Sequence, residues 1–176
     1  LMSLGHVLLE EHTPHGIGNH AVIITEHNDE LAEKFKNLLE EMHYVGFSNF
    51  DIKFDQRDGK FKVFEINTRQ GRSNFYVTGA GQNIAKYLVE DYINQNPIEL
   101  KVITEKSLWM VVPKGVAFKY IRQEEYQNEM RALIKAGKVV NPLFYRKDSG
   151  LMRLFRLYKN QFGHYYKYKK YLGDQK

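Results

Sequence analysis

The chain has 176 residues, is 43% hydrophobic and 27% charged, carries a net charge of +5 and contains no cysteine. A chain of that length buries a sizeable core, and its composition is that of a globular domain, not of a disordered or fibrous one. No apolar run approaches the roughly 20 residues of a membrane helix, no signal-peptide pattern opens the chain, and thiolate and disulfide chemistry are excluded, so the expected compartment is the cytoplasm.

Residues 5–14 (GHVLLEEHTP) begin as a buried strand and break at Pro14. His12 and His15 have a spacing that would suit zinc, but no further ligand cluster accompanies them and zinc is not expected. Gly16-Ile17-Gly18 precedes a strand over 21–25 and not a helix, so it reads as a turn and not as a phosphate cradle. Residues 28–42 predict a helix with Asn28 as N-cap, acids in the first turn, and Leu31, Phe35, Leu38, Leu39 and Met42 on one apolar stripe.

Residues 49–55 (NFDIKFD) alternate, with Phe50, Ile52 and Phe54 on one face and Asp51, Lys53 and Asp55 on the other, which is the period of a half-buried strand. Residues 60–67 (KFKVFEIN) form a second such run. A three-residue loop, Arg57-Asp58-Gly59, with the glycine left-handed, places Gln56 opposite Lys60, Ile52 opposite Phe64, Asp51 opposite Glu65 and Phe50 opposite Ile66. A slip of one residue would send Asp51 and Glu65 to opposite faces. In the expected register the two carboxylates stand roughly 5 Å apart at Cβ, with Asn67 further along the same face. Like charges directly opposite destabilise a sheet, so a positive group is expected between them, and two carboxylates with an amide suit a hard divalent cation. Arg69 and Arg72 follow, able to grip a phosphoryl group or carboxylate in bidentate fashion. Spacing alone leaves open an ordinary solvated hairpin face.

Further on, residues 78–83 (TGAGQN) read as a turn and cap leading into a helix that carries Ile84, Tyr87, Leu88 and Tyr92. Residues 100–104 and 108–112 look like short strands, with Trp109 a core anchor. Residues 124–136 predict an amphipathic helix closed by Gly137, and Leu151, Met152, Leu154, Phe155 and Tyr158 suggest another. From Arg146 onward the chain is basic and aromatic, with Arg153, Arg156, Lys159, Lys167, Lys169 and Lys170 among Tyr158, Phe162, Tyr165, Tyr166, Tyr168 and Tyr171. Such a tail could stack on nucleic-acid bases or lie at an anionic membrane surface. The favoured reading is a packed helix with its aromatics buried and its lysines solvated.

Asp51 followed by Phe64-Glu65-Ile66-Asn67-Thr68-Arg69 and by Gly71-Arg72-Ser73-Asn74 resembles the metal-binding end of the ATP-grasp ligases. The arginine and serine pattern is similar to that of the carbamoyl-phosphate-synthase branch and of bacterial carboxylate-amine ligases, including the D-aspartate ligases of peptidoglycan cross-bridge synthesis. The resemblance covers roughly residues 5–95. It implies an α+β fold: the C-terminal lobe of an ATP-grasp domain over 1–96, an antiparallel sheet covered by helices on one face, followed by an α/β extension over 97–176. It also implies ATP with magnesium, or manganese in its place, held by Asp51, Glu65 and Asn67. Arg69 and Arg72 would act on the transferring phosphoryl group, Lys53 would reach a phosphate or partner the carboxylates, and Glu10, Glu11 and Thr13 would sit at the hinge that receives adenine.

The implied reaction joins a small carboxylate to an amine or a peptidoglycan precursor through an acyl phosphate. The family's first nucleotide lobe and Gly-rich loop do not precede Leu1, so a fragment of a longer ligase, inactive alone and completed by the remainder of its parent chain, is expected. The alternatives are another ATP-grasp ligase, of carbamoyl-phosphate-like or peptide specificity, and a non-enzymatic basic module. Nucleic acid is not the expected partner; a membrane surface stays open through the tail.

Overall fold

The run Ala21-Val22-Ile23-Ile24-Thr25 is apolar on both sides of a strand until its last residue, and such a run is stable only where both faces are covered. The structure, a computed structural model, describes residues 1–145, 147, 148 and 150–173. Its elements in chain order are β1 (Leu4–Glu10), β2 (His20–Glu26), α1 (Asp29–Glu41), β3 (Asn49–Asp55), β4 (Lys60–Asn67), α2 (Phe75–Gly79), α3 (Ile84–Leu88), a π-helical turn (Val89–Ile93), β5 (Leu108–Met110), α4 (Lys114–Tyr120), α5 (Glu124–Lys135), β6 (Val139–Val140) and α6 (Leu151–Tyr171). Arg146, the first residue of the basic stretch, lies outside the described residues.

The chain divides into two compact units, Leu1–His27 with Phe75–Lys176, and Asn28–Asn74. The first unit holds a four-stranded sheet in the order β1-β2-β5-β6, so strands from both sides of residue 96 share it. The strands within 1–96 pair antiparallel, as expected for that part, and the sheet becomes mixed only in the part expected to be α/β: β5 joins β2 antiparallel, but β5 and β6 run parallel. The reason is the connection, because α4 and α5 carry the chain back from β5 to β6 and such a crossover returns the next strand in the same direction.

Cover on both faces replaces the expected cover on one. On one side Leu9, Val22, Ile24, Leu108 and Met110 pack with Val116 and Ala117 of α4 and with Met130 and Leu133 of α5. On the other, the α2 ring of Tyr76 closes on Gly5 and Ile23, and Gly79 is so near the Val140 side chain that a Cβ there would lie 2.6 Å from it. A buried hydroxyl pair, Thr25 with Ser107 at 2.8 Å, satisfies the polar groups on that side. Trp109 is buried, as a core anchor should be. The expected strand over 100–104 is only a parallel bridge between Met2 and Val102, and β5 stops at Met110.

The helix α6 runs 21 residues and is fastened to the sheet by two side chains. Gln161 Nε2 donates to the Val111 carbonyl at 2.8 Å, and the Tyr168 hydroxyl donates to the Glu10 carbonyl at 2.9 Å. Burial first, then the nearby Glu11 and Glu10, pushes the Tyr168 hydroxyl well above its ordinary pKa, so it remains a donor. Of the tail aromatics only Tyr168 is buried; Tyr158, Phe162, Tyr165, Tyr166 and Tyr171 are exposed, which corrects the packed-aromatic reading while keeping its helix. The inward side was already filled by Leu154, Leu157, Gln161, His164 and Tyr168, and a helix has only one side to give a sheet.

His164 is 8% exposed and its Nδ1 is buried without a hydrogen-bond partner. Burial, assisted by Lys167 and opposed by Glu11, lowers its pKa below the usual histidine value. The unfolded chain therefore binds a proton there that the fold excludes, and stability falls as pH drops below about 6.5. The unfolding midpoint is expected to fall between about pH 7.5 and about pH 5.5, and to fall less in His164→Phe, which keeps a ring and loses the titrating site. Equal falls in both proteins would contradict this assignment.

Candidate functional site

The second unit contains α1 and the hairpin β3–β4. Asn28 starts α1 by accepting the Leu31 N–H at 2.9 Å, with Asp29 and Glu30 in the first turn, a cap that contributes about 1 kcal/mol. One residue of its apolar stripe meets the hairpin through a ring contact, Phe35 on Phe50 at 4.3 Å. Cover of the hairpin's back is narrow, since Phe54, Phe61, Val63 and Ile66 are all exposed.

Both strands have the expected bounds, but the turn between them differs. Asp55, not Gln56, faces Lys60, leaving the four-residue loop 56–59. Gly59 takes the left-handed conformation, at φ 66°, and donates its N–H to the Asp55 carbonyl. The loop is longer because Asp55 organises it: its carboxylate accepts the Arg57 N–H and is gripped by the Arg57 guanidinium at 2.9 and 2.7 Å.

A loop that shifts the register by one would send Glu65 to the wrong face, yet Asp51 does face Glu65, Phe50 faces Ile66 and Asn49 faces Asn67. A bulge makes up the difference. Ile52 pairs with Val63 and not with Phe64, the next pair is Asp51 with Glu65, and Phe64 is the extra residue. The bulge switches the phase of β4: Phe61 and Val63 lie on the Phe50 face before it, and Glu65 and Asn67 lie on the Asp51 face after it. The adjacent apolar residues Val63-Phe64, where strict alternation requires a polar one, are the sequence signal of that switch.

At the end of the hairpin the side chains converge on Asp51. The Asn49 Nδ2 donates to one carboxylate oxygen at 3.1 Å, and the Asn67 Nδ2 lies 3.5 Å from the other. Both amides orient the carboxylate that stands across from Glu65. Asn49 was not anticipated as a site residue; its place two residues before Asp51, on the same face of the strand, is the sequence signal for the contact. Gly71, quoted in the motif but given no role, also borders the site: a Cβ there would stand 2.7 Å from Asn49 Oδ1 and 2.6 Å from Asn74 Oδ1, so a larger residue would have to push those side chains aside.

Lys53 is the next residue on the Asp51 face and stands opposite Lys62, which pairs with Asp58. Arg69 and Arg72 follow β4 and are both exposed residues, with Arg69 Nη1 donating to the Gln70 carbonyl at 3.1 Å. Glu10, Glu11 and Thr13 belong to the first unit, where the Glu11 N–H bonds to the Asn19 carbonyl and the Thr13 carbonyl accepts from Gly16 and Ile17.

Facing carboxylates backed by amide groups are hard oxygen donors, and they fit magnesium or manganese better than zinc or copper. Among the described residues no three or more histidine, cysteine, aspartate or glutamate side chains form a metal-binding group. A cation at Asp51 and Glu65 would therefore complete its shell with amide oxygens, water and phosphate, as magnesium commonly does.

Gly71→Ala is expected to displace Asn49, a short side chain that can swing aside, and so to release one amide from Asp51 without unfolding the hairpin. The expected cost in stability is under about 1 kcal/mol, with a several-fold loss of divalent-cation affinity in the full-length chain. An unchanged Asn49 side-chain amide resonance in that variant would contradict the contact.

No protein-family model matches the chain, and no solved structure does. The chain is 42% identical, over 97% of its own length, to the D-aspartate ligase of Enterococcus faecium (strain Aus0004), and it spans 42% of that relative. Nearly the whole of the described fold thus lies within the aligned region, and the chain is similar to less than half of a ligase.

Proposed function

We propose that this chain is the metal- and nucleotide-binding part of an ATP-dependent carboxylate-amine ligase of the ATP-grasp type, similar in reaction to a D-aspartate ligase. The observation that carries the reading is the register of β3 and β4, which sets Asp51 across from Glu65 with Asn67 on the Asp51 carboxylate. The similarity to a D-aspartate ligase supports it independently. Because the chain spans less than half of that relative, the complete activity is assigned to the longer protein, and residues 1–176 alone are expected to be inactive.

In this reading a substrate carboxylate, D-aspartate being the first candidate, attacks the γ-phosphoryl group of ATP and releases ADP. An amine then captures the acyl phosphate, forming the amide and releasing phosphate. Bound magnesium neutralises charge on the nucleotide phosphates. Asp51 and Glu65 would hold it through carboxylate oxygens, Asn67 would add an amide oxygen, and Asn49 keeps Asp51 oriented. Arg69 and Arg72 steady the phosphoryl oxygens, where fixed positive charge acts on charge that develops during transfer. Lys53 serves a phosphate, and the hinge segment of Glu10, Glu11 and Thr13 serves adenine mainly through its backbone. The amine is proposed to belong to a peptidoglycan precursor and the compartment to be the cytoplasm.

Glu65→Gln in the full-length protein is expected to lower ATP-dependent amide formation by about a thousandfold or more while leaving the melting curve unchanged. Manganese should broaden the side-chain amide signals of Asn49 and Asn67 in the wild type and fail to do so in Asp51→Asn. Turnover unaffected by Glu65→Gln would remove the metal role.

A further inference from the structure

The helix α6 carries two apolar seams and the sheet uses only one of them. The second seam consists of Leu151, Phe155, Tyr158, Phe162 and Tyr165, at alternating spacings of four and three residues, so that at about 100° per residue all five fall on one side of the helix. They face outward: Leu151 is 88%, Phe155 67% and Phe162 72% exposed. Phe144 extends the stripe by packing on Tyr158 at a ring separation of 5.7 Å, and Met152 and Tyr166 widen it. Arg156, Lys159, Lys167 and Lys170 run along one flank of the stripe, and α6 contains no acidic residue at all. The Lys170 ammonium lies over the rings of Tyr166 and Tyr171, so positive charge sits against the aromatic surface itself.

We infer that α6 docks in the plane of an anionic lipid bilayer, with the Leu151–Phe155–Tyr158–Phe162–Tyr165 stripe in the headgroup region and Arg156, Lys159, Lys167 and Lys170 on lipid phosphates. The inference stands apart from the ligase reading and uses none of its residues. Charge selects the occupant. A second copy would bring one acid-free basic flank against another, and like charges across a helix pair repel. An anionic surface matches all of the basic residues at once. Composition agrees, because the stripe is largely tyrosine and phenylalanine, whose rings sit at the boundary of acyl chains and water while tyrosine hydroxyls reach headgroups. Among the described residues no helix is long and apolar enough to cross a membrane, so α6 lies on the surface and does not span it.

The test is sedimentation of the full-length chain with vesicles of phosphatidylcholine alone or with about one-third phosphatidylglycerol. Binding to the anionic vesicles only, weakened at about 0.5 M salt, is expected. Arg156→Gln with Lys159→Gln should lower vesicle affinity about thirty-fold, and Phe155→Ser with Phe162→Ser should abolish binding, each with an unchanged melting curve because these side chains are exposed. Equal binding to neutral vesicles, no binding to either, indifference to both variant pairs, salt-sensitive binding of RNA without vesicle binding, or a dimer that Phe155→Ser with Phe162→Ser dissociates would each overturn the proposal.

Discussion

Everything proposed about catalysis depends on one pairing, Asp51 across from Glu65 on neighbouring antiparallel strands. Two carboxylates in that position repel each other, and a sheet tolerates them where amide donors and a cation offset the repulsion. The amides are present in Asn49 and Asn67, both aimed at Asp51. The pairing itself is the product of two local features. Asp55 draws the turn into a four-residue loop, and the extra residue Phe64 restores the phase that the loop displaces. Removing either one alone would separate the carboxylates by a sheet's thickness.

The site end of the hairpin was legible because strand alternation is a strong signal: Asp51, Glu65, Ile66 and Asn67 fall where period two puts them once the phase is right. The turn was not, since Arg57-Asp58-Gly59 is compatible with more than one loop length and the choice rests on how Asp55 folds back on Arg57. The expected pairing of Asp51 and Glu65 was correct with an incorrect intermediate, Ile52 facing Phe64. Val63-Phe64 held the missing information.

Elsewhere the limits have other causes. The two-residue strand β6 leaves almost no pattern, and its parallel pairing with β5 follows from the helices between them and not from its own residues. The helix α4 begins after Pro113, a fit start for a helix, but its single buried turn of Val116 and Ala117 is too short to show a period. In α6 both seams have helical spacing, so the letters announce a helix and do not choose which seam faces the sheet. Gln161 and Tyr168 make that choice by bonding to the carbonyls of Val111 and Glu10, and the choice leaves the phenylalanines and most of the tyrosines outside.

Catalysis by this site turns on where a divalent cation goes. Crystals of the full-length protein grown with manganese and a non-hydrolysable ATP analogue, measured at the manganese absorption edge, would locate it directly. An anomalous peak is expected between the carboxylates of Asp51 and Glu65, with the Asn67 amide turned toward it and nucleotide phosphates on its far side. Manganese and phosphates gathered at some other part of the chain, with Asp51 still held only by its two asparagines, would contradict that placement.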